Sequence, residues 1–340
     1  MIKDLHFLAV RAKKFFQPTA SKKRIGFVRP RFPLYSRAMP STRIRVYDPV
    51  VWFADNSQFV VELFSSRKKY DAVIFQKYFD AEALSLAKQL REQGTIVILD
   101  MNVNYYDAGS SYIEEEQREQ VRQFTEFSDY VVAASKYLKQ VIEKQFPKKT
   151  VVLIEEAIPE KYFQSTVTPQ NPPKTFLWVG FKWKVKELEV LKDTLSLLAS
   201  NYGIGLRTIG GTEVDVGDMP VNVQQYREWS VHKKMRAGDV FIAPRDLTDP
   251  YNLAHTFTKI GGAMAMGIPV VASPVPSYVG SPAIMCATND DWNQTLTAIA
   301  AGEYDLVDLG KRSTEYTQKH YHPDKIKRDY ESLFNKTVFV

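Results

Sequence analysis

Short apolar runs rich in valine and isoleucine alternate along this chain with longer stretches whose apolar residues recur at helical spacing. The runs at 25–29, 58–63, 71–75, 95–100, 129–133 and 150–154 read as buried strands. Helical periodicity falls between them, at 41–55, 80–93, 112–127 and 135–146. Residues 164–174, QSTVTPQNPPK, are polar, lack periodicity and hold three prolines, which predicts a linker. The alternation then restarts, with strands predicted at 175–179, 205–209, 222–224, 239–243, 268–272 and 283–286. Helices follow at 185–198, 226–236, 256–266, 291–300, 305–321 and 324–334. Strand–helix alternation of this kind builds parallel sheets covered by helices on both faces. The expected fold is therefore α/β, two Rossmann-like doubly wound parallel-sheet domains with ligand bound in a cleft at the C-terminal edges of both sheets.

Length agrees, since 340 residues exceed what one hydrophobic core ordinarily supports. A hydrophobic fraction of 44% and a charged fraction of 25% are those of a globular protein. Cys286 is the only cysteine, so neither an internal disulfide nor a multi-cysteine zinc site is available, and a cytoplasmic setting is expected. No apolar run reaches the roughly 20 residues of a membrane span.

The net charge of +6 changes the picture once it is located. Residues 1–24 carry seven basic side chains (Lys3, Arg11, Lys13, Lys14, Lys22, Lys23, Arg24) against Asp4. Setting these aside leaves 38 basic and 38 acidic residues in the remainder, so nucleic acid is not an expected partner. Within this arm Ile2, Leu5, Leu8, Ala12 and Phe15 recur at helical spacing. A basic amphipathic helix of that kind either lies on an anionic membrane surface, here the inner face, or packs on its own domain.

Candidate chemistry centres on residues 249–273, DPYNLAHTFTKIGGAMAMGIPVVAS, read as loop, helix and strand. Thr256 is the expected N-cap, Gly267 ends the helix, and the first-turn N–H groups with Lys259 offer a site for phosphate. Asn252, His255 and Thr258 extend it, and the adjacent Gly261 and Gly262 suggest close approach to that backbone. Gly180 at a strand end, followed by Lys182 and Lys186, suits a diphosphate, although loop lysines are more often simply solvated. In the first domain, Ser41 is an expected helix cap with Arg43 and Arg45 behind it. These arginines either bind acceptor or donor phosphates or hold the loop through a nearby acid. Asp100 and Asn102 close a buried strand, where ligands of open sheets bind or where a helix is capped. No Gly-x-Gly-x-x-Gly or Walker motif follows either first strand, and the histidines are not spaced for a metal.

With these residues in view, the chain resembles the GT-B glycosyltransferases, specifically glycosyltransferase family 4 (glycosyl transferases group 1). The likeness is strongest over 239–278, DVFIAPRDLTDPYNLAHTFTKIGGAMAMGIPVVASPVPSY. WVGFKWKVKEL, STRIRVYDPVVWF and SDYVVAASKYL add weaker support. The resemblance implies a nucleotide diphosphate sugar as co-substrate, no cofactor or metal, and a glycan or lipid-linked acceptor. It also implies that Thr256 and Lys259, helped by Lys182 or Lys186, hold the donor diphosphate, with Asn252 and His255 beside the sugar. Transfer is generally retaining in this family, and no catalytic base is assigned. The pattern divides the chain into an arm at 1–24, a domain at 25–163, the linker, a domain at 175–321 and a last helix at 322–340, and the resemblance makes the first domain acceptor-side, the second the donor domain, and the last helix one that crosses back. One departure stands out: Ala254 and Gly262 occupy places where many members carry glutamates. A non-catalytic sugar-nucleotide-binding or assembly protein, or another GT-B reaction such as epimerisation, is the alternative.

Overall fold

The computed structural model describes residues 22–29, 39–110, 112–211 and 213–339, and these divide into two compact units. One comprises the chain up to Glu156 together with Ile326–Val340; the other is Ala157–Lys325. The N-terminal arm up to residue 21 and most of the loop after the first strand lie outside the described residues.

The first unit contains β1 (Lys23–Val28), β2 (Phe59–Leu63), β3 (Ala72–Gln76), β4 (Ile96–Met101), β5 (Tyr130–Ala133) and β6 (Thr150–Leu153). They form one sheet in the order β2-β1-β3-β4-β5-β6, every pairing parallel. The second unit contains β7 (Thr175–Val179), β8 (Gly205–Ile209), β9 (Val221–Gln224), β10 (Val240–Ala243), β11 (Val270–Ala272) and β12 (Ile284–Met285). Their order is β12-β11-β10-β7-β8-β9, again all parallel. The apolar runs in the middle of each sheet become strands covered on both faces, where Ile74, Leu99, Val131, Leu177 and Ile242 are fully buried, while the edge strand β9 stays largely exposed. The chain leaves in opposite directions from β1 and β3, and from β7 and β10, so each pair marks a switch point whose C-terminal loops open a crevice.

Helix starts follow local chemistry. Asp80 accepts from the Ala83 N–H at 2.8 Å and Ser135 from that of Leu138 at 3.2 Å. Gln117 takes up the Glu114 N–H, so the helix expected from 112 begins as Glu115–Phe127. The helix expected over 41–55 begins instead at Pro40 with Met39 at the N-cap position, and Ser41 lies inside its first turn without a capping bond. Its middle, Arg43–Tyr47, widens into a π-helical turn, since Pro49 has no N–H to return to the Arg45 carbonyl. The helix expected over 185–198 breaks at Val190 into Val185–Glu189 and Lys192–Tyr202, which leaves Glu187 turned inward and Val190 exposed.

The proline-rich segment 164–174, expected as a linker, belongs to the second unit, which the chain enters at Ala157. Asp239 fixes it by accepting from the N–H groups of Gln170, Lys174 and Thr175 at 3.0, 2.9 and 2.9 Å. The Val167 N–H adds a bond to the Met266 carbonyl at 2.7 Å. A segment can lack periodicity and still be tied down through its backbone.

Candidate active site

The helix read as a phosphate site is Thr258–Ala265, two residues shorter at its start than the pattern predicts. Phe257, not Thr256, occupies the N-cap position, and the Thr256 hydroxyl is 2.8 Å from that of Thr258. The far end follows expectation: Gly267, at φ +79°, donates to the Met264 carbonyl at 3.0 Å and Ile268 to that of Ala263 at 3.0 Å, a Schellman closure. Gly261 and Gly262 serve the fold. A Cβ at Gly261 would stand 2.5 Å from Ile158 Cδ1 and 2.8 Å from Phe257 Cδ1, and one at Gly262 would stand 3.1 Å from Tyr162 Cε1. The close approach inferred from the glycine pair is thus made by the unit's own entering segment.

Gly180 has a similar role. A Cβ there would fall 2.2 Å from the Trp178 ring, so the glycine admits the indole. Over that ring, 5.6 Å from its centroid, sits the Lys259 ammonium, which donates to the Val179 carbonyl at the end of β7. Lys182 and Lys186 are exposed. The lysine between them, Lys184, is 5% exposed and donates to Asn252 Oδ1 at 2.9 Å and Glu187 Oε1 at 3.1 Å. Glu187 Oε2 meets Arg245, whose own N–H is held by Ser273 Oγ at 2.9 Å. One carboxylate therefore bridges two buried cations contributed from the ends of β7 and β10.

The loop between β10 and the helix is folded around this bridge. Asp249 caps the short turn Pro250–Leu253 by accepting from Tyr251 N–H at 2.8 Å. Asn252, 2% exposed, gives its Nδ2 to the Asp246 carbonyl at 2.9 Å, so its side chain is used up inside the protein rather than offered to a sugar. The Tyr251 ring lies 4.9 Å from Lys184 Nζ and edge-on to His255 at 5.2 Å. Ser277 Oγ anchors the His255 carbonyl at 2.5 Å, and His255 Nε2 is buried with no hydrogen-bond partner.

Burial and neighbouring cations act together on the basic groups here. Burial, then Arg245 and Lys184, push the Lys259 ammonium well below the ordinary lysine range. Burial and the same cations, with Lys259, push His255 well below its usual value, so the ring is neutral at pH 7. Burial and Arg245 bring Lys184 down to about 7, against Asp249 and Asp246. A diphosphate placed beside Lys259 and His255 supplies the charge these groups lack. Lys259, His255 and Asn252 are thus brought together at the switch point, and Lys182 and Lys186 are not. The sequence reading missed Lys184, Glu187 and Arg245. Part of their signal was available: Lys184 and Glu187 are three apart on a helical turn, whereas Arg245, two residues beyond β10, meets Glu187 only in the fold.

In the first unit, Arg45 and Asp100 find each other. Arg45 Nε lies 2.8 and 2.9 Å from the two Asp100 oxygens, and its Nη1 donates to the Ile154 carbonyl at 2.9 Å. With exposures of 1% and 0%, the pair holds the loop, the blander of its two readings. Asn102 gives its Nδ2 to Glu156 Oε1 at 2.7 Å. Arg43 and Ser41 are half-buried in the preceding helix.

No protein-family model matches the chain, and no curated protein matches it in sequence. Solved structures do match it in fold. Anabaena HepE in complex with UDP and glucose is 11% identical with a TM-score of 0.65, covering 92% of this chain and 100% of its own. A glycosyltransferase from Rickettsia africae is 13% identical with a TM-score of 0.64 over 93% of this chain and 99% of its own. S. aureus TarM, in a complex that includes UDP, is 12% identical with a TM-score of 0.60 over 79% of this chain. The chain spans 57% of that TarM structure and 59% of the GtfA/B complex, so it corresponds to little more than half of those proteins. Two doubly wound, all-parallel six-stranded sheets, matched over most of the chain by these structures, give the chain the GT-B fold.

Proposed function

We propose that this chain is a retaining, metal-independent glycosyltransferase that resembles family 4 and moves a hexosyl or related group from a nucleotide diphosphate sugar to a glycan or lipid-linked acceptor. The observation that carries the reading is the cation set Lys184, Arg245 and Lys259 at the β7/β10 switch point, acting on a neutral His255. As the bond from the anomeric carbon to the diphosphate oxygen breaks, negative charge grows on the leaving group. Fixed cations in a dry site stabilise that charge without reorganising. The acceptor hydroxyl then bonds to the anomeric carbon on the same face and passes its proton to the departing diphosphate. Lys259 and the first turn of Thr258–Ala265 are assigned to the diphosphate, His255 to the sugar side, and Lys184 and Arg245 to the field behind them. UDP is the first nucleotide to test, since HepE and TarM bind it.

Thermal shift against UDP, GDP, dTDP and ADP and their sugar conjugates tests the reading. One nucleotide is expected to stabilise the protein, by about 2.7 kcal/mol at a hundred times its dissociation constant, and its sugar conjugate to be turned over. Absence of any shift and of any donor hydrolysis would remove the proposal. Gly262, whose side-chain space Tyr162 fills where family 4 members often carry a glutamate, favours a non-catalytic nucleotide-sugar-binding protein as second reading. Binding without turnover in the presence of acceptor would select it.

The proposal places the protein in the cytoplasm, with residues 1–24 docking it at an anionic inner membrane surface near a lipid-linked acceptor; those residues are basic and amphipathic in sequence. Among the described residues no helix is long and apolar enough to cross a membrane. Deleting residues 1–22 is expected to abolish co-sedimentation with phosphatidylserine vesicles at low salt. Unchanged sedimentation would leave the arm to packing on its own domain.

A further inference from the structure

The C-terminal edge of the first unit's sheet contains a second group of polar side chains, of different character from the cations of the second unit. Lys77 directly follows β3, Asn102 directly follows β4, and Glu156 lies just beyond β6. Lys77 has φ +46°, the one non-glycine residue in the left-handed region among the described residues. Such a conformation is strained for a residue with a side chain and persists where its surroundings enforce it. The Lys77 N–H donates to the Asp100 carbonyl at 3.0 Å, which fixes the turn at the β1/β3 switch point. The half-buried ammonium hydrogen-bonds to none of the described residues, while Glu156, Asp100 and Arg45 all act on it.

Two further groups stand around the same three charges. Asn102, bonded to Glu156 through Nδ2, has a buried Oδ1 with no hydrogen-bond partner. Tyr330, 1% exposed, packs edge-on to Phe27 near the end of β1 with ring centroids 6.2 Å apart, feels Arg45, Asp100 and Glu156, and its hydroxyl also lacks a hydrogen-bond partner. Buried polar groups are ordinarily satisfied, so an acceptor and a hydroxyl left open inside the protein, with a half-buried ammonium at the same switch point, call for a ligand.

We infer that Lys77, Asn102 and Tyr330, set around Glu156, form a binding site for a neutral polyhydroxylated ligand, a saccharide. A sugar hydroxyl both donates and accepts. It accepts from the Lys77 ammonium, donates to Asn102 Oδ1, and exchanges either bond with the Tyr330 hydroxyl. A phosphate suits this site poorly. Among the described residues the charges acting on Lys77 are Arg45, Asp100 and Glu156, so two cations meet two carboxylates, and Asp100 is bonded to Arg45. The open Asn102 oxygen would face an anion with lone pair against lone pair. Only the description of this saccharide as the acceptor rests on the proposed transfer reaction; the binding itself does not.

Saturation-transfer NMR on the full chain tests the site, with methyl glycosides of glucose, galactose, mannose and N-acetylglucosamine as probes and inorganic phosphate as competitor. Two variants accompany the wild type. Lys77→Gly removes the ammonium and suits the left-handed backbone, so it keeps the fold. Asn102→Leu removes the open acceptor. At least one glycoside is expected to bind the wild type and to lose about tenfold or more in affinity in each variant, while UDP-induced thermal stabilisation is unchanged. No glycoside binding to the wild type, binding unaffected by both variants, or displacement of the glycoside by phosphate would each overturn the inference. Glycoside binding with this variant pattern in a protein that UDP does not stabilise would support the site and remove the donor reading alone.

Discussion

Asp100→Ala is expected to destabilise the first unit by about 3–5 kcal/mol, because it strands a guanidinium inside the protein. Arg45 is 1% exposed and Asp100 fully buried, so water cannot take over the role of the lost carboxylate. Arg45 would keep only the Ile154 carbonyl, a single neutral acceptor. The native pair itself need not be strongly stabilising, since two charges must first be dehydrated. A double variant, Arg45→Met with Asp100→Leu, is therefore expected to recover most of the loss. The effect should be read by hydrogen exchange at the amides of β3 and β4, beside the pair, together with urea unfolding, because a chain of two units need not unfold in one step. Loss of less than about 1 kcal/mol in Asp100→Ala would contradict the buried-pair reading and return Asp100 to the acceptor side.

The same pair shows where a sequence is legible and where it is not. All twelve strands fall within about two residues of the runs read from the sequence, and for the central ones the reason is that a strand buried on both faces must be apolar along its whole length. Two parallel-sheet α/β domains follow from their alternation with helices. Position within the site is another matter. Arg45 and Asp100 were both singled out as candidate ligands, yet which residue an arginine reaches depends on a π-helical turn and on a sheet register between Gln76 and Asp100. Local sequence states neither.

The glycines and lysines of the second unit repeat the lesson. Gly180, Gly261 and Gly262 do mark close approach, as glycines often do, but what comes near is Trp178, Ile158 and Tyr162. In Lys182-Trp183-Lys184-Val185-Lys186 the three lysines are equivalent by composition, and only the short helical turn into Val185–Glu189 buries the middle one. Arg245 and Glu187 are 58 positions apart, a contact that no pattern along the chain announces. Lys259 and His255 were legible because the sharp transition from loop to helix to buried strand placed them at a sheet edge.

Lys259→Met is expected to lower donor turnover by about 10²–10³, the loss typical of removing one preorganised charge-stabilising donor from a transition state. Methionine preserves the contact over Trp178 and removes the ammonium, so folding should be little affected. Because the ammonium acts on charge that grows as the glycosidic bond breaks, kcat should fall more than KM rises. A rise in KM alone would make Lys259 a ground-state anchor. The same cation field gives donor binding a pH dependence. Lys184 has its pKa lowered to about 7 in the free protein, and a neighbouring diphosphate raises it again. Binding therefore takes up a proton, so affinity is greatest below pH 7 and falls as pH rises through and beyond it. A sugar conjugate suits the measurement, since its diester diphosphate does not titrate near neutrality. Calorimetry in buffers of different ionisation enthalpy would report the uptake directly. Proton release, or affinity that is flat from pH 6 to 9, would mean that no diphosphate sits beside Lys184 and would move the donor away from this switch point.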